Sequence, residues 1–407
     1  MRILYICNNL ATFILNEIVE LKQLGHEILI LAEGNSRIHQ VLNEPIINQH
    51  GLENGFYRFS RASTRREKYV AFTRGLIRDF LSHPISVSKA CLHLLTHYPS
   101  PKYGIVDYLD IRHFFDKNID VIHSPFSIPS VIDKVSLLSE ILNVPYTLSF
   151  KAHDIWEREN LSGSKERINK VKGASRIFTI AKYNRDYLMT QLELNEDIDV
   201  IHDAIDVDMF KRIESRNSKN SIIAVARLAS DKGLHYLIKA CHILHQRNVE
   251  YACTIVGEGP EKQVYEALIR ELHIPNICFT GYLSNDQVCK LLQSQTVFVL
   301  PSIIHSNGHS DILANVIKEA MAMQLPVVTS NIRGVDELVI DEVNGLLVPP
   351  DNFVAIADAI ERIFKHPDLG RKMGQQGRVK VEQEFNIKTE VRKIEKIFVE
   401  VCGEKKG

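Results

Sequence analysis

Two cations and two carboxylates stand out by type and spacing. Arg227 follows the apolar run SIIAVA (221–226), and Lys232 comes five residues later, just ahead of a helical pattern. On one short loop at a strand's carboxyl end, an Arg and a Lys can hold a leaving diphosphate through charge-assisted hydrogen bonds without a metal. Two solvated surface cations are the plainer alternative. Asp311 and Glu319 lie eight residues apart, Asp311 at the entry to the helical pattern that carries Glu319, after a loop containing Gly308. The amino terminus of such a helix favours an anion. A carboxylate two turns along can accept from the vicinal hydroxyls of a ribose, while the earlier one can reach a sugar hydroxyl. An N-cap Asp and a surface Glu explain each residue taken singly, but not the ensemble.

Other chemistries lack their motifs. No G-x-x-x-x-G-K-[ST] loop and no G-x-S-x-G elbow occur, and Asn8, Asn9 and Leu10 follow the first strand-like run where a dinucleotide fold carries G-x-G-x-x-G. The D-x-D pairs Asp197/Asp199 and Asp206/Asp208 have no second ligand cluster beside them, so no metal site is expected. The seven cysteines are scattered without a C-x-x-C pair and read as reduced cytosolic thiols, mostly core fillers.

Elements able to position these residues recur along the chain. Short, nearly continuous apolar runs alternate with helical patterns, as strands buried on both faces of a parallel sheet do. One series holds RILYIC (2–7), EILILA (27–32), DVIH (120–123), YTLSF (146–150), RIFTI (176–180) and IDVIH (198–202). A second holds SIIAVA (221–226), YACTIV (251–256), NICFT (276–280), TVFVL (296–300), PVVT (326–329) and GLLV (345–348). The polar stretch 212–221 lies between them. The expectation is α/β architecture with two Rossmann-like doubly wound parallel-sheet domains facing a central cleft: an acceptor-binding domain over 1–205, a donor domain over 206–385, and a helix over 386–407 that packs back on the first domain. The length of 407 residues suits two domains, and the net charge of -1 removes the basic excess of a dedicated nucleic-acid binder.

Neutrality is not local. Residues 55–100 hold no convincing strand and read as a basic helical insertion. Within 57–90 the cations are Arg58, Arg61, Arg65, Arg66, Lys68, Arg74, Arg78 and Lys89, against Glu67 and Asp79. Phe72, Leu76, Ile77, Phe80 and Leu81 are interleaved at roughly helical spacing. This pattern fits either an amphipathic surface for anionic lipid, with Arg61, Arg65, Arg66 and Lys68 as its contacts, or a solvated helix face. The start MRILYICNNLATF has no secretory h-region, and no apolar run is long enough to span a bilayer. A cytoplasmic protein, peripheral on the inner face of the cytoplasmic membrane, is the expectation.

The order of Arg227, Lys232, VGEGP (256–260), FTGYLS (279–284), LPS (300–302), the Asp311–Glu319 spacing, EAMAMQLPVVTS (319–330), Glu337 and NGLLVPPD (344–351) resembles the retaining glycosyltransferases of family 4, which have the GT-B fold. ATFILNEIVELKQLGHEILIL (11–31), KAHDIW (151–156), RIFTIAKYNRDYL (176–188) and DVIHDAIDVDMF (199–210) resemble its branch that builds bacterial surface polysaccharides, colanic-acid-type enzymes included. The resemblance covers nearly the whole chain apart from 40–115. It departs from the family at Asp311, where the first of two glutamates is usual, at Ile312 and Ala226, where glycines are usual, and at Asp203-Ala204 in place of Asn-Gly.

The resemblance implies a hexosyltransferase-type activity (EC 2.4): a sugar moves from a nucleotide diphosphate sugar, such as a UDP- or GDP-sugar, to a hydroxyl of a glycan or lipid-linked acceptor with retained configuration and no metal or other cofactor. Arg227 and Lys232 would hold the diphosphate, Glu319 the ribose and Asp311 a donor-sugar hydroxyl. The backbone at Asn315 and Val316 would meet the phosphates, His153 would lie near the donor sugar, and Gly257 with Gly281, Tyr282 and Leu283 would accommodate the base. A catalytically silent nucleotide-sugar-binding protein and a nucleotide-sugar epimerase are the alternatives on this scaffold.

Overall fold

The structure is a computed structural model and describes residues 1–8, 10–32, 44–59, 65–97, 101–151, 155, 165–193, 198–213, 220–304 and 313–404. The chain divides into two compact units. The first comprises Met1–Ile180, Arg185–Ile201 and Val391–Gly407, and the second Ala181–Asn184 and His202–Glu390. The main boundary therefore falls at 201/202 where the sequence reading put 205/206, and the final segment joins the first unit from Val391.

The first unit is built on seven parallel strands: β1 (Arg2–Cys7), β2 (Glu27–Ala32), β3 (Phe56–Arg58), β4 (Val121–Ser124), β5 (Tyr146–Phe150), β6 (Arg176–Thr179) and β7 (Asp199–Val200). Their order is β3-β2-β1-β4-β5-β6-β7. The chain winds outward from β1 in both directions, as a doubly wound sheet requires. Five of the six β1 residues are buried, because helices cover both faces of such a sheet and the strand can be apolar throughout. Strand β3 corrects the expectation that 55–100 holds no strand. Its three residues FYR carry no hydrophobic run, and its pairing with β2 at Ile30, Leu31 and Ala32 makes it an edge strand.

Several polar side chains are buried in this unit, His123 among them. His123 on β4 is fully enclosed; its Nδ1 is 2.8 Å from the Thr147 hydroxyl oxygen, and its ring packs on Tyr5, Phe178 and Phe398. Burial pushes its imidazole down to about 3, so it stays neutral across the physiological range. Phe398 comes from the final helix, Ile387–Glu404, which also places Glu395 2.8 Å from His26 and Glu400 3.2 Å from Arg176.

The second unit holds β8 (Ser221–Val225), β9 (Ala252–Val256), β10 (Ile277–Gly281), β11 (Val297–Leu300), β12 (Val327–Ser330) and β13 (Gly345–Val348), all parallel, in the order β10-β9-β8-β11-β12-β13. The order reverses direction between β8 and β11, which opens a crevice beyond the carboxyl ends of those two strands. Local signals agree with this topology. Ser284 and Gln287 form a reciprocal capping box on helix Asn285–Gln293, and Asn352 caps helix Phe353–Lys365. Helices Phe353–Lys365 and Pro367–Glu384 complete the unit. All seven cysteines are free. Cys7, Cys241 and Cys253 are buried and Cys278 is exposed, so fewer than half of them fill cores.

Replacing Phe398 by Ala is expected to cost about 3–5 kcal/mol, because it removes a fully buried ring from a closed aromatic cluster. Urea unfolding followed by circular dichroism measures this.

Candidate active site

The crevice of the second sheet is lined from β8 and β11. The loop after β8 is fixed through backbone. Ala226 N–H donates to Val256 O (3.0 Å), Leu228 N–H to Glu258 O (2.9 Å) and Glu261 N–H to Leu228 O (3.0 Å). This interlock brings the loop after β9 so close that only glycine fits. A Cβ at Gly257, where φ is +134°, would lie 1.9 Å from the Ala226 carbonyl oxygen, and one at Gly259 would lie 2.3 Å from that of Leu228. The close approach that Gly257 permits is thus to the chain's own backbone, between the loops that carry Arg227 and Glu258.

Arg227 leaves this interlock with its side chain 69% exposed, whereas that of Lys232 is only 16% exposed. Between them lies Asp231, which the sequence reading passed over. Its buried carboxylate is 3.1 Å from the Lys232 ammonium and 3.6 Å from the Arg227 guanidinium. Burial alone would raise the Asp231 carboxyl; Lys232 and then Arg227 outweigh that and hold it below the usual carboxylate range. One buried anion therefore anchors both cations on one loop. Gly233 follows in the left-handed region (φ +62°) and starts helix Leu234–Gln246. A Cβ there would lie 1.9 Å from the Pro301 carbonyl oxygen, and Ile303 N–H donates to the Asp231 carbonyl (3.1 Å). The loops after β8 and β11 thus meet at the switch point, with Arg227 and Lys232 carried on the first.

Helix Asn315–Ala322 follows. Ala314 begins it without a side-chain cap, and Leu313 ahead of it has φ +56°. Lys318, also missed from sequence, is fully buried. Its ammonium donates to the Asp203 carbonyl (2.5 Å) and to Asn315 Oδ1 (2.9 Å) and sits 5.2 Å from the centre of the Phe385 ring. Asn315 is therefore engaged through its side chain, while Val316 is half-buried. Beside Lys318, Glu319 is partly buried. Burial pushes its carboxyl up to about 7, against the opposing pull of Lys318.

Gly281 ends β10 with φ +75°, Tyr282 is 58% exposed and Leu283 is half-buried. His153, Asp311 and Arg61 lie outside the described residues. Arg65 and Arg66 begin helix Arg65–Ser82, with side chains that are likewise outside them, and Lys68 is half-buried on that helix. The D-x-D acids that fall among the described residues have structural partners. Asp206 accepts from the N–H groups of Asp208 and Met209, Asp208 pairs with Lys388, and Asp199 lies 3.4 Å from Arg176.

Residues 207–380 match the family model of glycosyl transferases group 1. The matched region lies within the second unit. Over 167 residues the chain is 32% identical to WcaL of Escherichia coli (strain K12), named as a colanic acid biosynthesis glycosyltransferase; the match spans 40% of this chain and 41% of that protein. The amylovoran biosynthesis glycosyltransferase AmsK of Erwinia amylovora is 24% identical over 95% of both chains. Among solved structures, Anabaena Alr3699/HepE in complex with UDP and glucose aligns with a TM-score of 0.71 at 17% identity, covering 98% of this chain and 100% of that one. The two-sheet architecture is accordingly the GT-B fold. Within the matched region, Arg227, Asp231, Lys232, Lys318 and Glu319 are among the charged groups that the fold positions.

Gly257→Ala is expected to lower stability by more than about 2 kcal/mol, through a forbidden φ and a backbone clash together, as read by urea unfolding. Glu319 gives the opposite sign. Between about pH 4.5 and 7 the native chain keeps a proton on Glu319 that the unfolded chain has lost, so stability falls as pH rises through that window. Glu319→Gln removes the charged state. Its stability relative to the native chain should rise by an amount on the order of 2–4 kcal/mol between pH 4.5 and 8. A gain that does not change with pH would sink this assignment.

Proposed function

We propose that the protein is a retaining glycosyltransferase that moves a sugar from a UDP- or GDP-sugar to a hydroxyl of a glycan or lipid-linked acceptor in cell-surface polysaccharide assembly. The observation that carries the reading is the Arg227–Asp231–Lys232 arrangement at the switch point of the matched region. The names of WcaL and AmsK, and the UDP and glucose in the Anabaena structure, support the choice of polymer and donor.

In this reading the donor diphosphate lies beyond β8, and the Arg227 and Lys232 cations take up its charge in place of a metal ion. The sugar C1 to phosphate-oxygen bond breaks as the acceptor oxygen bonds to C1 on the same face, through an oxocarbenium-like state. The acceptor's proton passes to the departing phosphate oxygen, so no protein base is required. Because negative charge grows on the diphosphate as the bond breaks, cations already held by Asp231 act more on the transition state than on bound donor. Glu319 accepts from the ribose hydroxyls in its ionised form. With its carboxyl near 7, donor affinity rises from pH 6 to pH 8. His153 and Asp311 are assigned to the donor sugar by motif alone. The protein would work in the cytoplasm, at the inner face of the cytoplasmic membrane.

Incubation with a panel of sugar nucleotides and membrane-extract acceptors should release nucleoside diphosphate with unchanged anomeric configuration in the product. Chelation of divalent ions should leave the rate unchanged, and Lys232→Ala or Glu319→Ala should each lower it about tenfold or more. Donor binding without turnover on any acceptor would replace this reading with a nucleotide-sugar sensor. Isomerised donor without acceptor would replace it with an epimerase.

A further inference from the structure

We propose that the outward face of helices Arg65–Ser82 and Pro84–His97 is a docking surface for a bilayer rich in anionic lipid. This deepens the lipid-linked acceptor reading and rests on it for its purpose.

This face is apolar as well as basic. Of the nine large hydrophobic side chains exposed among the described residues of the first unit, seven lie on these two helices: Tyr69, Val70, Ile77, Phe80, Leu81, Ile85 and Leu92. Leu81 is 82% exposed and Ile85 73%. Ile77 and Leu81 are one turn apart on the first helix. Ile85, Lys89 and Leu92 follow at i, i+4, i+7 and share a face of the second. A soluble helix normally turns such a stripe inward.

Inward-facing groups fix which side points out. The Asp79 carboxylate accepts from Arg112 Nε (2.6 Å), Arg112 Nη2 (2.8 Å) and the Tyr108 hydroxyl (3.1 Å). Gly75 is buried, and a Cβ there would stand 3.1 Å from the Arg112 guanidinium carbon. Phe72 meets the Tyr108 ring edge-on at 5.2 Å, and Val87 and Ala90 are buried on the second helix. The exposed hydrophobics are therefore opposite a specific polar and aromatic anchor.

Charge selects the occupant. Arg74, Arg78 and Lys89 are exposed among these apolar groups, although Arg78 Nε also lies 3.3 Å from Asp79 and Lys89 Nζ 3.4 Å from the Ile141 carbonyl oxygen. Of the acids on the two helices, Asp79 is buried against Arg112 and Glu67 lies at the far end of the first helix. A second copy of the chain meeting this face about a twofold axis would oppose cation to cation. Lipid headgroups of negative charge complement the face, while the apolar side chains reach the acyl boundary. Among the described residues no helix is long and apolar enough to cross a membrane, which is consistent with attachment by a face.

The test uses the full chain and sedimentation with vesicles of phosphatidylcholine, with and without phosphatidylglycerol. Binding is expected only with the anionic lipid and should weaken at high salt. Both Ile77→Ser/Leu81→Ser/Ile85→Ser and Arg74→Glu/Arg78→Glu should weaken it about tenfold or more while keeping the native circular dichroism spectrum and the rate of donor hydrolysis in solution. Undiminished binding by the apolar triple variant overturns the proposal. So does a concentration-dependent dimer, seen by light scattering, that the same substitutions abolish. Absence of nucleotide release from every donor, in native chain and variants alike, would count against the glycosyltransferase reading and leave the vesicle result to stand alone.

Discussion

The second unit depends on a backbone interlock with no room for a side chain. The loops after β8 and β9 exchange main-chain hydrogen bonds from Ala226 to Glu261, with Gly257 and Gly259 pressed on facing carbonyls. Backbone contacts of this kind are satisfied in the folded state alone and leave few alternative geometries. Their effect is to set the point at which Arg227 departs from the sheet. Gly233 repeats the device one turn later, where its missing Cβ lets the start of helix Leu234–Gln246 approach Pro301. The two strands flanking the switch point thus deliver their loops to one place without side-chain packing between the charged groups themselves.

On that frame the electrostatics become local. A protein of net charge -1 concentrates cations where its fold gives them a fixed anion. Asp231 holds Lys232 and Arg227, Asp79 holds Arg112, and in each case the carboxyl is drawn below its ordinary range against the cost of burial. The two pairs differ in what they leave free. Arg112 is enclosed with its carboxylate, so that pair serves to orient helix Arg65–Ser82. Arg227 remains mostly exposed, so the Asp231 cluster orients positive charge that an incoming anion can still reach.

These differences explain what could be read in advance. Twelve strands were visible because most parallel strands here are buried on both faces and form continuous apolar runs; their order in the sheets was not read from the sequence. Strand β3 was not, because an edge strand of Phe-Tyr-Arg has no run to detect. Arg227, Lys232 and Glu319 were singled out from spacing and resemblance, and the fold carries the first two on the loop after β8. Asp231 and Lys318 were not, since a charged residue in a loop or mid-helix looks like solvated surface until the fold buries it. In residues 57–90, charge drew attention to Arg61, Arg65, Arg66 and Lys68. Ile77 and Leu81 were also noted at helical spacing, but a hydrophobic residue so placed is ordinarily a core residue, and only the anchor at Asp79 shows that they face outward.

Glu319 shows how such a site is maintained against its own stability. A carboxyl pushed to about 7 by burial costs the fold free energy once it ionises, and Lys318 beside it offsets only part of that cost because its ammonium is already committed to Asp203 and Asn315. A residue chosen for packing alone would be neutral at this position. In the proposed donor complex, hydrogen bonds from a pair of vicinal hydroxyls would stabilise the ionised form and offset that cost. Lys318 pins the inner face of helix Asn315–Ala322 to the Asp203 carbonyl and to the Phe385 ring, so the position of the neighbouring carboxyl is fixed by a cation it does not have to hold itself.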